Sequence, residues 1–169
     1  KEELFDLLKT SYYINKKNGK RNIASGGATY PIEMFYLNIN TTGIPKGIYH
    51  YNLKKKSLDL IKSKTKLEVT KLLKDGFLTN YKSDMDYHKA SGVIFLVGFM
   101  NRASFKYEDF AVKLTYIDSG AILHSLYLTS SLLNIKSCAC GGYDDSVFEK
   151  ELELKASYQN IVSTFIIGK

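Results

Sequence analysis

The run Gly92-Val-Ile-Phe-Leu-Val-Gly-Phe-Met100 constrains this chain more than any other stretch. It is apolar without polar alternation, which suits a strand covered on both faces. The core is expected to centre there. Residues 110–134 add a second constraint. Ile117, Ala121, Leu128 and Leu132 recur near helical spacing, and Leu123, Leu126 and Tyr127 widen the apolar surface. A helix hydrophobic around most of its circumference is buried inside a large core or in a dimer.

The remaining elements are shorter. Leu4, Phe5, Leu7 and Leu8 share one helical face while Glu2, Glu3 and Asp6 suit the positive end of the dipole, so a first helix spans Glu2–Ser11. Residues 15–21 are polar and basic and read as a loop. Residues 33–40 and the strand resuming at Ile48 form a hairpin around Thr-Thr-Gly-Ile-Pro-Lys-Gly. The lysine-rich residues 57–74 read as one or two amphipathic helices, closed by Gly76. A short helical piece at 87–90, a strand and turn at 136–142, a short helix capped by Asp144 or Asp145, and a last strand at 160–167 complete the order. Hairpins and separated strands among helices indicate an α+β class rather than a doubly wound sheet.

At 169 residues and 44% hydrophobic content, the chain suits one domain. Its net charge of +7 could attract an anionic cofactor, an acidic leader peptide or nucleic acid. The lysines are widely spread and no nucleic-acid reading motif accompanies them, so a solvated surface is the simpler account. Cys138 and Cys140 are too close in sequence to staple a useful loop. No apolar run approaches the ~18 residues that span a bilayer, and no signal pattern opens the chain, so a cytoplasmic protein is expected. Because residue 1 is Lys rather than Met, the chain is expected to begin inside a longer product or to have been processed or trimmed.

Three blocks carry chemistry. In Arg21-Asn-Ile-Ala-Ser25-Gly26-Gly27-Ala-Thr-Tyr30-Pro31-Ile-Glu33, two glycines after a serine let the backbone pass close to a planar or phosphorylated ligand. Lys106-Tyr107 pairs a potential base with a phenol. Cys138-Ala-Cys-Gly141-Gly142-Tyr-Asp144-Asp145 is a second glycine turn. Cys-x-Cys has no second cysteine pair or histidine cluster to complete a tetrahedral site, so no metal is expected. His50 and His88 show no triad or metal spacing, and His124 reads as an ordinary helix histidine.

Together with Gly47-Ile-Tyr-His50-Tyr, these blocks resemble the SagB-type branch of the FMN-dependent nitroreductase superfamily, whose members oxidise azoline rings to azoles in ribosomally made peptides. The resemblance runs from Glu2 to Lys169. It implies a nitroreductase-like mixed sheet surrounded by helices, with residues 1–169 as one domain lacking the family's upstream phosphate-binding arginines. It implies FMN as cofactor, held by Arg21, Ser25, Gly26, Gly27, Gly141, Gly142 and Lys169, with backbone N–H groups of the second glycine turn facing the ring. Lys106 and Tyr107 fall where such enzymes carry a catalytic Lys-Tyr pair. Aromatisation removes a carbon-bound proton and a hydride, so a base beside the flavin is the minimal apparatus. A lysine, ordinarily near ~10.4, must be desolvated or set among cations to serve as that base at neutral pH. A precursor peptide, a cyclodehydratase complex and a second copy of the chain are the implied partners.

The chain also departs from the pattern. Ala24 replaces a proline, Ala121 a histidine, His124 a glutamine and Ser125 an asparagine, and the sequence after Tyr107 differs. Two alternatives follow: a flavin-free scaffold or peptide-binding subunit, and a general nitro or quinone reductase.

Overall fold

A computed structural model describes residues 1–78, 86–155 and 157–168. Helix α1 (Glu2–Ser11) leads through a polar turn, pinned by an Ile14–Arg21 bridge, to a 3-10 turn at Gly26–Ala28. Strands β1 (Ile32–Asn38) and β2 (Gly47–Asn52) then form the expected hairpin.

Residues 57–74 depart from expectation. The first half is a strand, β3 (Ser57–Ser63), paired antiparallel with β2, and only the second half is helical, α2 (Lys66–Gly76). The helix start is fixed by a capping box: the Thr65 hydroxyl accepts from the Glu68 N–H while the Glu68 carboxylate accepts from the Thr65 N–H. Beyond a 3-10 turn at Tyr87–Lys89 come β4 (Gly92–Phe99), α3 (Asn101–Tyr107) and α4 (Phe110–Leu132). Strand β5 (Lys136–Cys140), helix α5 (Asp145–Glu151) and strand β6 (Gln159–Gly168) follow. Asp144 caps α5 by accepting from the Ser146 N–H.

Among the described residues, six strands lie in the order β3-β2-β1-β4-β6-β5. Every pairing is antiparallel, so the sheet is not the mixed one expected, though the α+β class holds. Each neighbour in the sheet runs back against the last, because hairpins build one half and excursions through helices return the chain in the opposite sense.

Alternation in the central strands explains the apolar runs. Met34, Tyr36, Ile94 and Leu96 point to the side covered by α1 and α4, with Leu4, Leu7, Leu8, Ile122 and Leu126. Phe35, Leu37, Val93, Phe95 and Val97 point to the other side, packed by Val69, Leu72 and Leu73 of α2 and Phe148 of α5. Both faces of β1 and β4 are therefore dry. Among the described residues, no helix is long and apolar enough to cross a membrane.

Helix α4 packs in an unexpected sense. Its buried side is mostly small or polar, with Ala111, Thr115, Asp118, Ser119, Thr129 and Ser130 alongside Ile122 and Leu126. Phe110, Tyr116, Ile117, Leu128 and Leu132 are instead exposed. The sequence reading of an apolar circumference was sound, yet one chain covers only one side.

Candidate functional site

The Ser25-Gly26-Gly27 loop sits where the chain enters β1, against α3 and α4. Gly27 adopts a left-handed conformation, φ +57°, and Ala28 and Tyr30 also have positive φ, 55° and 47°. Non-glycine residues hold such angles only where the surroundings impose them. Here the restraints are visible. Asp118 of α4 accepts hydrogen bonds from the Ser25 hydroxyl and the Gly26 N–H, and burial raises its carboxyl pKa against the lowering effect of those bonds. The Ser25 Oγ also accepts from the Tyr30 N–H at 2.9 Å. From α3, Arg102 donates to the Tyr30 carbonyl at 3.2 Å.

Helix α3 also brings the Lys-Tyr pair to this loop. A Cβ built on Gly27 would lie 2.5 Å from the Tyr107 Oη and 2.7 Å from the Lys106 Nζ. The glycine is what permits the approach. The next residue, Glu108, takes φ 49° and ψ −130°, a strained turn that ends α3 and sends the chain into α4. Lys106 is exposed and Tyr107 half-buried, so the pair stands at the surface of one chain. Exposed Phe105 and Phe110 flank it in sequence.

Beneath the loop lies a charged cluster that sequence reasoning missed. Glu33, buried in β1, accepts from Arg102 at 2.5 Å and Arg21 at 3.2 Å, and its second oxygen meets the His50 Nε2 at 3.1 Å. Burial would push the Glu33 carboxyl up, but the hydrogen bonds from His50 and Arg102 and the charges of Arg102 and Arg21 outweigh it and hold it at about 2. Arg21 further donates to the Ile32 carbonyl at 2.8 Å and to the Tyr12 hydroxyl, and lies over the rings of Tyr12 and Tyr30. Its guanidinium is thus engaged by protein groups. The one sequence signal was a carboxylate inside an otherwise apolar strand.

Gly141 and Gly142 lie elsewhere, after β5. The Gly142 carbonyl accepts from the Leu78 N–H at 2.9 Å. A Cβ at Gly141 would meet nothing within 4 Å, and one at Gly142 only Leu78, at 4.0 Å. Among the described residues, nothing at either place sterically requires glycine. Strands β4 and β6 separate β1 from β5, so the two glycine turns belong to strands about 14 Å apart at ~4.8 Å per strand. Within one chain, the structure joins the Ser-Gly-Gly loop to Lys106-Tyr107 but leaves the second turn apart from them. Lys169 lies outside the described residues. His124 is exposed on α4, while Ser125 ties α4 to α1 by donating to the Ser11 carbonyl at 2.8 Å.

These features agree with a comparison of the whole chain, in which the nitroreductase family profile matches residues 1–169. The chain belongs to the nitroreductase family. A nitroreductase-type protein of Methanocaldococcus jannaschii is 25% identical over 154 residues, covering 90% of this chain and 74% of its own. The trifolitoxin-processing protein TfxB of Rhizobium leguminosarum is 27% identical over 162 residues, 93% of this chain but 42% of TfxB.

Among nitroreductase-fold structures, a chain of the E. coli microcin synthetase McbBCD complex, with truncated pro-MccB17 bound, superposes with a TM-score of 0.83. The two are 20% identical, and the match covers 99% of this chain and 63% of that one. A nitroreductase-type protein of Exiguobacterium sibiricum in complex with FMN superposes with a TM-score of 0.64 at 16% identity, covering 100% of this chain and 77% of that one. At these identities the superpositions speak for the fold. This chain spans less than two thirds of both TfxB and the microcin synthetase chain.

Proposed function

We propose that this nitroreductase-family chain is an FMN-dependent oxidoreductase that converts azoline rings to azoles in a ribosomally made, modified peptide. The observation that carries the reading is the meeting of two blocks distant in sequence, Gly27 with Lys106 and Tyr107. The similarity to TfxB and to the microcin synthetase complex supports a peptide substrate over a free nitro compound. A cyclodehydratase partner and a cytoplasmic setting belong to the same proposal.

The residues fit a flavin. Among the described residues, Gly141 and Gly142 leave backbone space that a Cβ would fill, and Ser25, Gly26 and Gly27 of a second copy would offer the other wall. These residues, with Lys169 and with Arg21 bracing the loop, would hold FMN. When bound, FMN supplies the two-electron acceptor that ring aromatisation requires. The chain's own work is to orient the ring against Gly27 and to take the carbon-bound proton. The Lys106 Nζ accepts that proton and the Tyr107 hydroxyl passes it on.

A second copy completes the arrangement. The pair is open to water in one chain, while Phe105, Phe110, Tyr116, Ile117 and Leu132 expose large apolar side chains on α3 and α4. Burying that face in a homodimer would exclude water from the reacting ring.

The test is the visible spectrum of the purified protein, followed by turnover. Oxidised flavin colours the protein yellow, and Lys106→Ala abolishes ring oxidation while leaving the flavin bound. Colourless protein that cannot be reconstituted with FMN overturns the enzyme reading. Undiminished turnover in Lys106→Ala overturns the role of the base.

A further inference from the structure

We propose that Glu33 is a positioning residue for this site: through Arg102 and Arg21 it holds the 25–30 loop in its left-handed path and so keeps Gly27 against Lys106 and Tyr107. The inference rests on reading that loop as one wall of the reaction site. Its physical basis lies in contacts independent of any ligand.

Two arms run from one carboxylate oxygen to one loop residue. The Glu33 Oε1 binds the Arg102 Nη1 at 2.5 Å, and the same nitrogen donates to the Tyr30 carbonyl at 3.2 Å. That oxygen also binds the Arg21 Nη2 at 3.2 Å, and the Arg21 guanidinium lies 5.2 Å from the Tyr30 ring centroid. Tyr30 is thereby gripped at its backbone and at its ring. It is also one of the two non-glycine residues of the loop with positive φ, where unsupported backbone relaxes. His50 of β2 closes the far side of the carboxylate, at 3.1 Å from Oε2.

The geometry links this clamp to the chemistry. Arg102 and Lys106 stand four residues apart on α3, hence on one face of the helix. One turn of α3 therefore holds the loop from beneath and the next presents the Lys106 Nζ to Gly27. With Glu33 neutral, two guanidiniums that share one oxygen would face each other uncompensated. They would separate, and Arg102 would leave the Tyr30 carbonyl.

Amide hydrogen exchange on the purified chain tests this without flavin. The N–H groups of Gly26, Ala28, Thr29 and Tyr30 are hydrogen-bonded and report on the loop. Glu33→Gln and Arg102→Met should each speed their exchange by ~10-fold or more while β1 and β4 amides keep wild-type protection. The double variant should be no faster than either single one, because both act through one clamp. Arg102→Met keeps the aliphatic stem but donates to neither the carboxylate nor the Tyr30 carbonyl, so it decides the matter alone if Glu33→Gln fails to fold.

In FMN-loaded protein, kcat for ring oxidation should fall by ~10-fold or more with KM held within about twofold, the pattern of a displaced reacting pair. Wild-type loop exchange in a folded variant, or effects that multiply in the double variant, overturns the proposal. A wild-type chain that takes up no flavin overturns the preceding function and leaves the exchange result to be judged separately.

Discussion

Gly141→Ala separates what the fold needs from what a ligand needs. At this exposed position a Cβ would meet none of the described residues within 4 Å, and Gly141 is not among the glycines with positive φ, which are Gly19, Gly27 and Gly43. The substitution therefore costs the folded chain nothing and narrows the unfolded ensemble, a gain of about 0.4–1 kcal/mol. A flavin ring lying on this backbone would respond oppositely. A methyl group stands ~1.5 Å from its Cα, and carbon contacts settle at ~3.5–4 Å, so the ring must retreat by about a bond length. Losing that contact should weaken FMN by ~10-fold or more, about 1.4 kcal/mol. Urea unfolding of flavin-free protein and flavin fluorescence titration measure the two effects on the same preparation. A variant that is more stable and binds FMN as tightly as wild type would remove Gly141 from the cradle. A less stable flavin-free variant would refute the packing argument itself.

Gly27→Ala makes the complementary case: its Cβ falls 2.5 Å from the Tyr107 Oη and 2.7 Å from the Lys106 Nζ, so both tips must move. With φ at +57° a loss of about 1–2 kcal/mol in unfolding free energy is expected, together with a ~100-fold fall in ring oxidation. Normal turnover would argue against the pair. Acid titration tests Glu33, whose carboxyl is depressed from an ordinary 4.5 to about 2. Its contribution, about 3 kcal/mol at ~1.4 kcal/mol per pH unit, is complete above the unfolded value and disappears as pH falls through the folded one. Unfolding free energies measured between these limits should fall more steeply for wild type than for Glu33→Gln, and parallel curves would contradict the cluster. Thr65→Ala should cost about 1 kcal/mol by opening the capping box of α2 while leaving the site intact, as paired denaturation and activity measurements will show.

How much of this was legible follows from the range of each signal. Strand β4 was readable because burial on both faces leaves continuous apolar sequence, and α1 because its apolar face and acidic first turn agree. Residues 57–63 were misread because Leu58, Leu60 and Ile61 satisfy strand and helix spacing alike, and pairing with β2 decided between them. The helix start was written locally, in Thr65 and Glu68. Helix α3, seven residues without a side-chain cap, left no comparable mark. The two chemical blocks were visible as strings, but their meeting depends on the backbone turn at Glu108. The Glu33 cluster joins residues 12 and 69 positions away, separations that no local pattern encodes.

Helix α4 carries a consequence for how this chain can vary. The side facing the sheet holds Ala111, Thr115, Ser119 and Ser130, while Leu128 and Leu132 stand outside. Mutational tolerance along the helix should therefore run against hydropathy. Ser119→Leu would force extra carbons into a closed contact and cost about 1–3 kcal/mol, whereas Leu132→Ser would leave the single chain's packing nearly untouched. A scan of the helix scored on folding alone would rank its serines above its leucines, and the same scan scored on turnover would restore the leucines.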